Sequence, residues 1–146
     1  MKKHLTILTF IAVVLTACSS EPLIEMDQDT SYIQYLPQEE ELEVFVRYLN
    51  HSNRPVDFCV EILFDDEDIW AAFPYERYVI SCDPEDPKAY GETSGELTIL
   101  PNNEFVVGRN MSHHNGIDES LLPGNVRVRL FNDDGFELIE PLNVLN

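Results

Sequence analysis

The chain has 146 residues, with 27 Asp and Glu against 9 Lys and Arg, a net charge of −18. That length allows one domain at most, and a hydrophobic fraction of 44% is enough to build a core. So strong a negative field repels phosphates and excludes nucleic acid as a partner; it suits a basic protein or divalent cations, and it also serves plain solubility.

The chain opens with Lys2 and Lys3. An uncharged apolar run from Leu5 to Leu15 follows, and it gives way to small residues and a cysteine. A basic start, a short apolar stretch and a small-residue exit describe an export signal that is removed. The run is well short of the roughly 20 residues a membrane-spanning helix needs. An uncleaved helix or a plain secretory signal fits less well, because the apolar run stops at the small residues. The sequence Leu15-Thr16-Ala17-Cys18 resembles the lipobox of bacterial lipoproteins. That resemblance implies cleavage before Cys18 and lipidation of Cys18 with a diacylglycerol and a third, palmitate-type chain. Two or more acyl chains anchor stably where one does not. Ser19 stands where an aspartate would retain such a protein at the inner membrane, so the resemblance implies the outer membrane of a Gram-negative cell envelope. Residues 1–17 are then the signal peptide, and 18–30 are the lipidated cysteine with a flexible acidic tether. Residues 31–146 are the folded domain. Loss of Lys2 and Lys3 leaves 27 acids against seven bases, a balance of −20.

A first strand is predicted over Tyr32–Leu36, ended by Pro37. Gln38-Glu39-Glu40-Glu41 reads as an exposed turn. From Leu42 the alternation is clean: Leu42, Val44, Val46 and Tyr48 share one face of a strand. Asn50–Pro55 is a loop by its turn-forming residues. Val56, Phe58, Val60, Ile62 and Phe64 line the core face of the next strand, leaving Asp57, Cys59, Glu61 and Leu63 opposite. Asp65-Asp66-Glu67-Asp68 is a carboxylate cluster with the oxygen chemistry of a Ca²⁺ site, but without the loop spacing of one, and is read as a solvated turn. Ile69–Ile80 is predicted to form one or two strands broken at Pro74. Its Trp70, Phe73, Tyr75 and Tyr78 are either core side chains or an exposed recognition patch.

Asp83–Pro87 is a loop. Short strands follow at Glu96–Leu100 and Phe105–Val107, with a polar loop from Arg109 to Gly116. His113 and His114 raise a metal reading, since imidazole is a common ligand. Neighbours on a strand point to opposite faces and no third ligand is fixed nearby, so the pair is read as part of a polar loop. Asn50-His51-Ser52 and Asn110-Met111-Ser112 match the glycosylation sequon, without meaning for a bacterial lipoprotein. Val126, Val128 and Leu130 alternate with Arg127, Arg129 and Phe131, and the two arginines are expected to balance acids on a neighbouring strand. Asp134-Gly135 is a hairpin signal. The returning strand Phe136–Ile139 meets Pro141, which marks an edge.

Two cysteines remain after Cys18. In an oxidising compartment Cys59 and Cys82 are expected to pair; the alternative is two buried thiols.

Seven or eight short strands, with turn signals at short intervals and no useful helical period, define an all-β, antiparallel sandwich or barrel. Glu41 to Val144 resembles the immunoglobulin-like domains of bacterial lipoproteins. The resemblance is carried by the strand before Asn50–Pro55, by Trp70, by Leu100-Pro101 and by Leu122-Pro123-Gly124-Asn125-Val126-Arg127-Val128. Here Val126 stands where that family has a tyrosine. A fold of this kind hosts many functions. The chain has no G-x-S-x-G, no H-E-x-x-H and no glycine-rich phosphate loop. It is therefore expected to be no enzyme and to need no cofactor or metal. The expectation is a membrane-anchored envelope module, binding or structural, that presents loops 81–95 and 108–124 to a protein or glycan. Tyr75, Tyr78, His113 and His114 are its candidate contacts. The alternative is an inhibitor or immunity protein that captures a basic enzyme such as a lysozyme, for which complementary charge speeds encounter.

Overall fold

In the computed structural model, the described residues are 23–73, 75–82, 89–91 and 95–145. They form two β-sheets, each built on one long strand. In the first sheet the spine is β3 (Glu41–Asn50). One edge of β3 pairs along its length with β8 (Glu104–Ser112), antiparallel. The other edge takes β2 (Tyr32–Leu36) at its start and β1 (Ile24–Met26) at its end. β11 (Asn143–Val144) lies parallel beside β2.

The spine of the second sheet is β4 (Val56–Phe64). It pairs with β9 (Val126–Phe131), and β9 forms a hairpin with β10 (Glu137–Pro141). β7 (Leu97–Ile99) pairs with the first residues of β4 and β5 (Arg77–Val79) with its later ones. β6 (Ala89–Gly91) lies parallel to β5. The chain is thus an all-β sandwich, with the expected hairpin at Gly135, whose φ of 86° suits glycine.

The core follows from the period of two. Leu42, Val44, Val46 and Tyr48 of β3 are fully buried against Phe58, Val60, Ile62 and Phe64 of β4 and Val126, Val128 and Leu130 of β9. Phe58 meets Tyr48 and Phe105 edge-on across the sheets, at 6.1 and 5.6 Å between centroids. Asn50 closes one end of the sandwich: its buried amide donates to the carbonyls of Arg54, Ile99 and Leu100, and its oxygen accepts from Ser52. That use of the side chain explains a turn-rich loop that nevertheless has a fixed shape.

Several expectations are corrected. The strands number eleven among the described residues, and two of their pairings are parallel. The folded domain begins inside the span assigned to the tether, since Ile24 and Met26 are buried in β1. Ile69–Ile80 is not a strand pair. Asp66 caps a short helix, α1 (Glu67–Trp70), accepting from the Asp68 N–H at 2.9 Å, and two acids occupy its first turn. Among the described residues of that span, only Arg77–Val79 form a strand. The strand read as Phe105–Val107 runs on to Ser112, because β3 offers it a partner for the whole distance.

Candidate binding surface

The outer face of the second sheet is covered around Cys59 and Glu61. Cys59, on that face of β4, is buried and bonded to Cys82, with their Cα atoms 5.7 Å apart. The segment before Cys82 folds back onto β4: the Ile80 and Ser81 N–H groups both donate to the Val60 carbonyl, and the Ser81 hydroxyl accepts from the Val60 N–H at 2.9 Å. The expected disulfide is therefore present.

Glu61 follows on the same face with only 2% of its side chain exposed. Its carboxylate accepts from Arg77 at 2.9 Å and from Arg129 at 2.7 Å. Arg129 also donates to Glu137 at 2.7 Å and lies 4.3 Å from the Phe131 ring centre. Arg127 makes a two-pronged pair with Asp65, the shared hydrogen bond holding its guanidinium charged beyond the usual range. The expected role is observed: Arg129 balances acids on the neighbouring strands β4 and β10, and Arg127 balances Asp65 just past the end of β4. Two guanidinium groups meeting one carboxylate offset the cost of burying it.

The aromatic side chains form one continuous run. Phe64 stacks on Phe73 at 5.0 Å, and Phe73 meets Tyr75 at 5.5 Å. Tyr75 stacks on Tyr90 at 5.2 Å and 11°. Tyr78 touches both, at 5.7 Å from Tyr75 and 5.9 Å from Tyr90. Burial, and then the neighbouring Tyr78 and Tyr90, push the Tyr75 phenol well up from its usual range. A phenol held protonated offers apolar area and a hydrogen-bond donor. Tyr75 is buried, Tyr78 partly so, and Tyr90 is 59% exposed.

Tyr90 reaches the cluster because β6 lies close on β5. A Cβ at Gly91 would overlap the Val79 carbonyl, so only glycine permits the approach. Both residues fall within the loop expected over 81–95 and instead belong to a strand. The available signal was a glycine directly after an aromatic residue.

His113 and His114 are not a pair. His113 is buried against Tyr35 at 5.3 Å and Phe73 at 6.3 Å, and neither ring nitrogen has a hydrogen-bond partner among the described residues. His114 is exposed, and its backbone N–H donates to the Ala72 carbonyl. Phe73 therefore links His113 to Tyr75 through one aromatic run, while His114 stays outside it. Among the described residues no group of three or more His, Cys, Asp or Glu is placed to hold a metal ion. Of the loop expected over 81–95, residues 83–88 and 92–94 lie outside the described residues. The loop expected over 108–124 begins only after Ser112.

At the end of the sandwich where Leu23 enters, a groove of about 460 Å³ has Leu23, Val56 and Phe136 on its walls and Asp57, Asp133 and Asp134 among its charges. No protein-family model matches the chain, and no curated protein matches it.

Proposed function

We propose that this protein is a lipid-anchored envelope module whose sandwich binds another macromolecule through the Tyr75–Tyr78–Tyr90 surface. The observation that carries the binding role is Tyr90: a large aromatic ring left mostly exposed, stacked on a buried partner that fixes its position. Rigid aromatic rings give contact area at low entropic cost, which is why they anchor interfaces. The anchor rests on Leu15-Thr16-Ala17-Cys18 and the export signal before it. On that reading Cys18 lies only five residues before Leu23, a reach of about 18 Å when extended. The groove end of the sandwich then stays near the bilayer.

The test of the anchor is fractionation with palmitate labelling. Wild type should be labelled and sediment with the outer membrane; Cys18→Ser should be unlabelled and leave it. An unlabelled wild type would overturn the anchor. Binding is tested by crosslinking from Tyr90 in intact envelopes, where a discrete adduct is expected and its absence would leave a structural role.

A second reading, capture of a basic enzyme such as a lysozyme, is favoured by the acidic groove and the balance of −20. It requires binding that weakens steeply with salt and an enzyme that loses activity when bound.

A further inference from the structure

Among the described residues six strands have an unpaired edge, β1, β6, β7, β8, β10 and β11, and they differ in length and composition. β10 is five residues long and carries Glu137, Glu140 and Pro141. β6 has three residues and β11 two. Short strands, charge and proline are the usual means of keeping an edge from pairing. β8 is longer, nine residues, Glu-Phe-Val-Val-Gly-Arg-Asn-Met-Ser, without proline or lysine, and Arg109 is the one charge near its middle. Among the described residues nothing pairs with its second edge.

The direction of its backbone groups follows from β3. The Arg47 N–H donates to the Ser31 hydroxyl at 3.0 Å and its carbonyl accepts from Asp27 at 2.9 Å, so Arg47 faces β1 and β2. The Asn50 N–H donates to the Asn103 carbonyl, and the Glu40 carbonyl accepts from His113. Even-numbered residues of β3 therefore bond to odd-numbered residues of β8. The N–H groups of Val106, Gly108 and Asn110 and the carbonyls of Val106 and Asn110 then point outward along this edge, while the Gly108 carbonyl accepts from Arg109 Nη1 at 3.0 Å.

What lies beside that edge is the aromatic surface. The chain crosses from β10 to β11 at Leu142, whose N–H donates to Val126, and this joins the two sheets along one flank. The strand orders then put β8 on the opposite flank, with β5 and β6. Phe105 of β8 already sits over Phe58 of β4. A strand added next to β8 would lie over β5 and β6. Tyr78 is opposite the core residue Ile62, and Tyr90 is opposite Tyr78. Both rings are thus on the inward side of the second sheet, yet Tyr90 is mostly exposed. Among the described residues the first sheet does not reach over Tyr90.

We infer that the free edge of β8 is a strand-addition site: it takes an extended segment of a partner protein, aliphatic at alternate residues and basic at the others. Main-chain hydrogen bonds to Val106, Gly108 and Asn110 hold the segment, and its aliphatic side chains cover Tyr78 and Tyr90. Its basic residues face the solvent side, where Glu104 of β8 and Glu41 and Glu43 of β3 lie. A second copy of this chain would bring another balance of −20 to the same face, which disfavours self-pairing. The inference rests on the reading of the sandwich as a binding module and is independent of the lipid.

The test uses the full lipidated protein in detergent and a decapeptide alternating valine and lysine as the probe, read by amide hydrogen exchange. Exchange at Val106, Gly108 and Asn110 should slow at least tenfold at saturation. Val107 and Met111, already bonded to β3, should not change. Gly108→Pro removes an outward N–H without touching the β3 ladder and should weaken binding at least tenfold; Gly108→Ala, where a Cβ has open space, should bind within about twofold. If the proline variant does not fold, Tyr90→Ser should weaken binding several-fold on its own. Equal binding by Gly108→Pro or, failing its folding, by Tyr90→Ser would overturn the inference. So would protection elsewhere, or equal binding of an all-lysine peptide. Slowing that appears with protein concentration alone would assign the edge to a second copy and overturn it too. Should the peptide fail while Tyr90 still crosslinks to a partner in envelopes, the edge is wrong and the binding module stands.

Discussion

The two flanks of the sandwich are finished differently. On one, β10 ends at Pro141 and the chain passes through buried Leu142 into β11, tying the sheets together. On the other, β8 ends the first sheet while β5 and β6 extend the second beneath it, and Tyr90 is left in solvent. A flank closed by the chain itself contributes stability; a flank left open leaves backbone and ring surface for something else. Substitutions of buried residues on the closed flank should therefore change folding, and those of exposed side chains on the open flank should change binding with little effect on folding.

The largest effect is expected at the closed flank. Leu142→Ala removes a side chain that is 3% exposed and should cost about 3 kcal/mol in urea unfolding; a cost below about 1 kcal/mol would show that the crossover is not what holds that flank. The double variant Cys59→Ser, Cys82→Ser releases a link across 23 residues of sequence and should cost somewhat less than 3 kcal/mol relative to the oxidised protein, after allowance for structure retained in the unfolded chain. Gly91→Ala should detach β6 from β5 at a cost of about 1 to 2 kcal/mol and shift the fluorescence of the tyrosine cluster.

Tyr48 gives a smaller effect of the opposite sign. Its hydroxyl is buried with no partner among the described residues, and burial pushes its phenol well above the usual range. Tyr48→Phe should be neutral or stabilise by about 1 kcal/mol. The neutral phenol is favoured in the fold, so this contribution is intact below the unfolded value of about 10 and is lost as pH rises above it. The phenylalanine variant should lose less stability than wild type between about pH 10 and 12. Smallest of all, Tyr90→Ser on the open flank should change unfolding by less than about 0.5 kcal/mol. A larger loss would mean that Tyr90 is structural.

What the sequence made legible was whatever carried a long, clean period of two. β3, β4 and β9 alternate over six or more residues and appear where the pattern puts them. The Cys59–Cys82 pair was legible because Cys59 faced away from the core on a strand whose other face was apolar. β1 was missed because three residues are too few to show a period, and its burial depends on the distant end of β3. The helix was missed because Ile69 and Trp70 suit a strand as well, and the deciding feature was the cap at Asp66. β8 was cut short because Arg109 occupies an inward-side position and Gly108 has no side chain to report its face. Of the candidate site, Tyr75 and Tyr78 were named, while Tyr90 depends on a parallel pairing that no local pattern announces.

The disulfide also has a consequence for cysteine parity. Cys59 and Cys82 use each other, and the sequence has three cysteines. A third thiol at position 18, a few residues before the sandwich, is a reagent for disulfide exchange with either partner. A diacylglycerol joined to its sulfur as a thioether, on the lipid-anchor reading, removes that reagent. On the lipid-anchor reading, the modification that holds the protein to the membrane also protects the correct pairing of the other two cysteines. Unlipidated Cys18→Ser should therefore fold cleanly, and unlipidated wild type should scramble.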